Sequence, residues 1–382
     1  MKYTNFKWED LSVEAALSVF ETSDESFPEY QAIVNFSPDV KFDVSEQFLK
    51  IEEAVTRLLD ALPSGLAVAF KRYFVSDIAN QTSFINLNQG CTAVSVVQQS
   101  PFAGSKVALW LYFAPSQSVS RKGNATVIAH SGLKHIIHTG LYSDAAGSEA
   151  QTAAIFGEYS RLLASEGCTL ERNCLRTWVF VRDIDLYYAG MAKARREFFA
   201  TEGLTKDTHF IASTGIEGKF PSCNSLVSMD AYAIQGISNE HVKHLRAATH
   251  LNPTHEYGVT FERGTAIRYA DRTHVIISGT ASIDNNGQIV HHQDILKQSE
   301  RMMENINALL AEAGATINDI ASLLIYLRDV SDYKLVNERF QSKYPSLPKV
   351  ILHAPICRPG WLIEAECIAV ISNTHSRLSW GG

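Results

Sequence analysis

The sequence predicts an α+β protein made of three tandem units of one sheet-and-helix plan, the first unit shortened. Two observations carry this: an order of strands and helices that recurs through the 382 residues, and short matching segments at the same place in each copy. In the last third, His274–Ser278 is a β-type run ending at Gly279, with a turn at Asp284–Gly287. Residues 294–313 then place Ile295, Leu296, Met302, Met303, Ile306, Leu309 and Leu310 at helical spacing. Asp294 can cap this helix, and Gly314 stands where its stop belongs. A strand at Ser322–Leu327, an amphipathic helix over 331–344 and strands near 349–354 and 361–371 complete the unit.

The middle third repeats that order. His135–Gly140 matches His274–Gly279, and Gly167–Leu170 after helix 148–164 matches Gly314–Ile317. Val181–Ile184 matches Leu327–Val330, and the helix holding Met191 and Phe198 matches the one holding Asn337 and Tyr344. In the first third, Ala32–Phe36 is a strand, 46–62 a helix, and Phe70–Val75, Val94–Val97 and Val107–Trp110 are further strands. A second helix is missing there between Asp77 and Cys91. Residues 115–125 and 236–256 read as linkers from their polar, Gly- and Pro-containing makeup, so the units divide as 1–118, 119–240 and 241–382. A helix-backed sheet leaves one apolar face open, and three such units in one chain can bury those faces against each other. The expected assembly is therefore an intrachain pseudo-trimer, monomeric or associating further.

Composition excludes several classes of function. A net charge of −7 with no basic block argues against nucleic-acid binding, which needs a cationic face to displace counterions. No run of eighteen apolar residues predicts a membrane span, and the N-terminus lacks a signal-peptide pattern, so the expected location is cytoplasmic. Six cysteines without a CxxC pair read as reduced thiols. Thirteen histidines include no HExxH, and His135 and His138, three apart in a β run, point to opposite faces. With no phosphate-binding glycine loop either, no metal or cofactor is expected.

Ser278–Ile283, Leu324–Asp329 and Ile363–Ala369 together resemble the Rid (YjgF, endoribonuclease L-PSP-like) family. That resemblance implies chorismate-mutase-like units, small-molecule sites in the clefts between them, and hydrolysis of imino or enamino acids. It also places Glu364 at the family's water-orienting glutamate. Fifteen residues earlier, where imine deaminases carry an arginine for the substrate carboxylate, this chain has Lys349, a point charge without a guanidinium's fork.

The segment Cys357–Glu364 is similar, more specifically, to that of the chorismatase group, whose members also carry GTASI and an arginine at the position of Arg328. Arg176–Trp178 and Ala194–Arg195 resemble a chorismatase segment of the preceding unit, although Trp178–Phe180 departs from the group's WNY. Chorismatases hydrolyse an enol ether and release pyruvate from a dicarboxylate. The resemblance thus implies Glu364 as a general acid, with Cys357 beside it setting which product forms. Arg328, Arg195, Arg339 and Lys349 are the candidate ligands for a carboxylate substrate.

Glu366 shares a strand face with Glu364 by the two-residue period. The middle unit has Ser228 and Asp230 at these two positions, and the corresponding strand of the first, Val107–Tyr112, has no acid. One complete acid site in three clefts is the expectation. The alternatives are an imine or enamine deaminase of changed specificity and a binding protein that has lost chemistry.

Overall fold

The computed structural model describes residues 1–21, 27–38, 40–102 and 104–373. The chain forms, in order, β1 (Lys2–Trp8), β2 (Val13–Phe20), β3 (Glu29–Phe36), α1 (Val44–Ala61), β4 (Leu66–Val75), a short α2 (Ile78–Gln81), β5 (Ala93–Gln98), β6 (Ser100–Pro101) and β7 (Val107–Pro115). The middle unit follows as β8 (Val119–Lys122), β9 (Ala125–His130), β10 (Leu133–Tyr142), α3 (Gly147–Ser165), a short α4 (Leu170–Asn173), β11 (Cys174–Val181), α5 (Ile184–Thr201), β12 (Ala212–Glu217) and β13 (Val227–Gln235). The last comprises β14 (Val242–Leu245), β15 (Gly264–Tyr269), β16 (Arg272–Ala281), α6 (Ile295–Glu312), β17 (Ile320–Leu327), α7 (Tyr333–Lys343), β18 (Lys349–His353) and β19 (Ile363–Ser372).

These strands make three mixed sheets, ordered β1-β2-β3-β7-β4-β5, β12-β11-β13-β10-β9-β8 and β14-β15-β16-β19-β17-β18-β6. In each sheet one pair is parallel, β4 with β5, β11 with β12 and β17 with β18, so the three tandem units share one topology. The first lacks a long second helix, with only α2 in its place. Side-chain caps set the starts of α1 and α6. Asp43 and Glu46 form a capping box at α1, and Asp294 accepts from the Lys297 amide at α6.

The two stretches read as linkers are partly strands. Residues 119–122 form β8, and 242–245 form β14. Both sit at sheet edges, and three of the four β8 residues are exposed, which is why their composition looks like loop. The hairpin β1–β2 was likewise not predicted; it adds an exposed edge to the first sheet.

Apolar faces from all three sheets meet in one core. It joins Phe70, Phe74 and Trp110 of the first unit, Trp178, Phe180 and Ile216 of the middle unit, and the inner face of the last. Trp110 and Trp178 pack edge to face with centroids 5.8 Å apart. The joints between units are polar and specific. Glu366 accepts from Arg176 Nη2, from Thr214 Oγ1 and, at 2.7 Å, from Trp178 Nε1, all in the middle unit. Asp230 of the middle unit accepts at 2.7 Å from Arg72 of the first. Gln31 of the first accepts from Ser322 of the last at 2.9 Å. Among the described residues, no helix is long and apolar enough to cross a membrane, and no group of three or more His, Cys, Asp or Glu is placed to hold a metal.

Candidate active site between the middle and last units

A bulge builds the cleft. In β16 the register with β19 shifts between Ile277 and Thr280, the stretch that holds Ser278 and Gly279. There the Ser213 amide donates to Ser278 Oγ at 2.9 Å, and the Gly279 amide donates to Thr214 Oγ1 at 2.9 Å. The irregular backbone thus docks the last unit on β12 of the middle one, where a bulge re-aims side chains. Gly279 must lack a side chain, because a Cβ there would lie 2.2 Å from Glu364 Oε1.

Glu364, second residue of β19, lines the resulting pocket with Cys357, Arg358, Trp361 and Arg263 of the last unit and Tyr188, Arg195 and Ser213 of the middle one. The enclosed space is about 50 Å³. Phe261 and Arg263 also wall a second cavity of about 260 Å³, so the two compartments meet at those side chains. Glu364 is 5% exposed. Burial, with the charge of Glu366 behind it, pushes its carboxyl up to about 8, against the opposing pull of Arg263 and Arg176. It is therefore a carboxylic acid at neutral pH, able to give a proton. Burial and the neighbouring Glu364 likewise push the Cys357 thiol up to about 12, so Cys357 presents a thiol, not a thiolate.

Of the residues singled out in the sequence, Glu364, Cys357 and Arg195 come together here. Arg195 is 1% exposed, and its Nη1 donates to Ser213 Oγ at 3.4 Å. Arg328 does not line the pocket. Its Nη1 donates to the Ile356 carbonyl at 2.6 Å and its Nη2 pairs with Asp185 in the first turn of α5, so it ties the Cys357 loop to the middle unit. Arg339 lies on the surface in an ion pair with Glu300 at 3.2 Å. Lys349 is elsewhere too: its ammonium donates to the Tyr344 carbonyl at 2.9 Å, and its own carbonyl accepts from Asn35 of the first unit.

Strand pairing explains the placement of Lys349. Lys349 pairs with Leu323, one residue before Leu324, which lies opposite Glu366. In the middle unit Ser213 pairs with Thr177, one residue before Trp178, which lies opposite Asp230. Ser213 is thus the counterpart of Lys349, and it is the middle unit's copy that lines the Glu364 cleft. The position equivalent to Lys349 is thus a serine where it enters the Glu364 cleft, and Arg195 donates to its hydroxyl.

The other two clefts differ as the repeat suggests. In the middle unit Ser228 stands where Glu364 does, and the counterpart of Glu366, Asp230, is consumed by Arg72, Ser95 and the Gly140 amide. Phe220 closes over Gly140, 3.2 Å from where a Cβ would sit. In the first unit the position opposite Phe74 is Ala108.

Sequence reasoning missed Arg263, Arg358, Tyr188 and Trp361. Tyr188 and Arg195 are seven apart on α5, two helical turns, a spacing that puts both on one face. Arg358 follows Cys357 directly. Nothing local marks Arg263; it is held by Asn252, whose carbonyl accepts from its Nη2 at 3.0 Å and which lies in a segment read as linker.

Comparison with known proteins gives the lineage. The endoribonuclease L-PSP family model matches residues 264–371. A RutC family protein of Pyrococcus abyssi is 35% identical over 98 residues, 25% of this chain and 76% of that protein. The 3-aminoacrylate deaminase RutC of Acinetobacter baylyi is 29% identical over 97 residues, 25% of this chain and 77% of that protein. A crystal structure of a chorismatase superposes with a TM-score of 0.65 at 18% identity, covering 92% of this chain and 99% of that one, so the two share a fold along nearly their whole length. The chain belongs to the Rid (YjgF, endoribonuclease L-PSP-like) superfamily, in the three-unit form that the chorismatase fold displays.

Proposed function

We propose that the protein is a chorismatase-like hydrolase acting on an enol-ether carboxylate such as chorismate, with Glu364 as general acid. The observation that carries this reading is a neutral, buried carboxylic acid facing arginines 195, 263 and 358 in one closed cleft. Protonated Glu364 gives its proton to the vinyl methylene carbon, leaving an oxocarbenium ion. Water adds to that ion and returns a proton to the carboxylate, and the hemiketal collapses to pyruvate and the free alcohol. The arginines hold the substrate carboxylates, and the larger compartment beyond Phe261 and Arg263 takes the rest of the substrate. Cys357, as a thiol, shapes the wall beside the reacting carbon. Arg328 is a positioning residue that fixes the Cys357 loop.

Pyruvate release from chorismate tests this. Glu364→Gln should lower kcat by roughly 10²- to 10⁴-fold, the usual worth of a placed general acid. Wild-type activity should fall as pH rises through about 8, where the acid gives up its proton. No pyruvate above the Glu364→Gln background would overturn the proposal.

A second reading is enamine or imine deamination, favoured by the likeness to the 3-aminoacrylate deaminase. Ser213 in place of an arginine in the Glu364 cleft counts against it. Accelerated loss of freshly generated 2-iminopropionate, with no pyruvate from chorismate, would favour it instead.

A further inference from the structure

A buried glutamine recurs near the start of the first long helix in every unit. Gln47 is the fourth residue of α1, Gln151 the fifth of α3 and Gln298 the fourth of α6, and none is more than 1% exposed. Each side chain joins the same two segments, the one entering the helix and the one entering the unit's last strand. Gln47 donates to the Phe42 carbonyl at 3.0 Å and accepts from the Lys106 amide, just before β7, at 2.7 Å. Gln151 donates to the carbonyls of Ala145 and Asn224, both at 2.9 Å, and accepts from the Leu226 amide, just before β13, at 2.7 Å. Gln298 donates to the carbonyls of His291 at 3.2 Å and Gly360 at 3.0 Å. It accepts from the Leu362 amide, just before β19, at 2.9 Å. A side-chain amide suits this place because one planar group offers both donors and an acceptor.

The three units differ in the segment that is held. In the last unit it carries Cys357, Arg358 and Trp361 into the Glu364 cleft. Arg328 fixes its start through the Ile356 carbonyl, and Gln298 fixes its end. Between them the Trp361 amide donates to the Arg358 carbonyl at 3.0 Å and closes a turn. Leu362 lies two residues before Glu364, so its bond to Gln298 also sets where β19 brings the acid into the cleft. We propose that Gln298 is a positioning residue of this site: a hydrogen-bonded link common to all three units holds, in the last unit alone, the wall that faces Glu364. Its effect on turnover rests on the hydrolase reading above; its effect on the wall does not.

Alkylation of the folded full chain by iodoacetamide, read peptide by peptide in a mass spectrometer, reports on the wall without any turnover. Cys357 is half-buried, Cys91 is exposed and Cys367 is buried, so the last two serve as internal references. Gln298→Met fills the same space but makes none of the three hydrogen bonds. It should speed Cys357 alkylation about ten-fold through local opening, with Cys91 and Cys367 unchanged. Gln47→Met removes the equivalent link in the first unit. It should lower the urea midpoint yet leave Cys357 alkylation and pyruvate release at wild-type rates. In a wild-type protein that releases pyruvate, Gln298→Met should cut kcat/KM by about 10²-fold, the cost of a small misplacement of reacting groups. Should Gln298→Met not fold, Gln298→Asn, an amide one methylene too short to reach both segments, is read in the same way. Unchanged Cys357 alkylation in the Gln298 variant, equal acceleration in Gln47→Met, or an unmoved kcat/KM in an active protein would each overturn the proposal. Faster Cys357 alkylation in a protein that releases no pyruvate would remove the hydrolase reading and leave the positioning role standing.

Discussion

Replacing Glu364 by glutamine should stabilise the protein at neutral pH and lose that benefit near pH 4.5. The carboxyl is pushed up to about 8 in the folded chain from an ordinary value of 4.5. Below 4.5 the folded and unfolded chains both hold the proton, and the residue contributes no difference. Between 4.5 and 8 the folded chain keeps a proton that the unfolded chain has released, so stability falls by about 1.4 kcal/mol for each pH unit. At pH 7 the accumulated cost is about 3 kcal/mol by that slope. Glutamine has the same shape and no proton to hold, so it escapes this cost at every pH. Its amide carries a roughly constant penalty of about 1 kcal/mol for bonds the site does not supply. Urea unfolding of both proteins at pH 5 and pH 7.5 reads the effect directly, and the gap in favour of Glu364→Gln should widen by about 3 kcal/mol across that range. A gap that stays constant, or one that narrows, would show that Glu364 is not held neutral by burial.

Gly279→Ala should fold but lose most pyruvate-forming activity, because a Cβ placed 2.2 Å from Glu364 Oε1 must displace the acid; steady-state kinetics beside circular dichroism separates the two. Arg176→Met leaves Glu366 buried without its cation and should cost about 3–5 kcal/mol in urea unfolding, with much of the loss recovered in the double variant with Glu366→Gln. Lys349→Met should leave KM within about two-fold of wild type, since Lys349 is outside the Glu364 cleft; a rise of ten-fold or more, about 1.4 kcal/mol, would contradict its placement. Arg339→Ala should change stability by no more than about 0.5 kcal/mol, as its pair with Glu300 is exposed on both sides.

What could be read from the sequence follows what is local in it. The helices α1, α3, α5, α6 and α7 and the central strands carry their own periodicity, α1 and α6 have side-chain caps as well, and the matching segments tie them into three units. The edges β1, β8 and β14 were missed because an edge strand is stabilised by a neighbour and can be polar throughout. At the site, Glu364 and Cys357 lie in one short segment and were legible. Tyr188 reaches the cleft only through packing of the middle unit on the last, which no spacing within a unit records, and Arg263 reaches it through pairing with the distant Ser278 segment of its own sheet. Lys349 shows the same limit from the other side. It holds the equivalent position in its own unit, but the cleft containing Glu364 is completed by the neighbouring unit's copy, Ser213.

In the proposed reaction a neutral Glu364 protonates carbon in an enol ether bound in the cleft between the middle and last units. Turnover of chorismate in deuterium oxide, followed by proton NMR of the pyruvate, tests that step most directly. Wild-type protein should give pyruvate bearing a single methyl deuterium, and Glu364→Gln none above background. Pyruvate formed without methyl deuterium, or formed equally by Glu364→Gln, would contradict it.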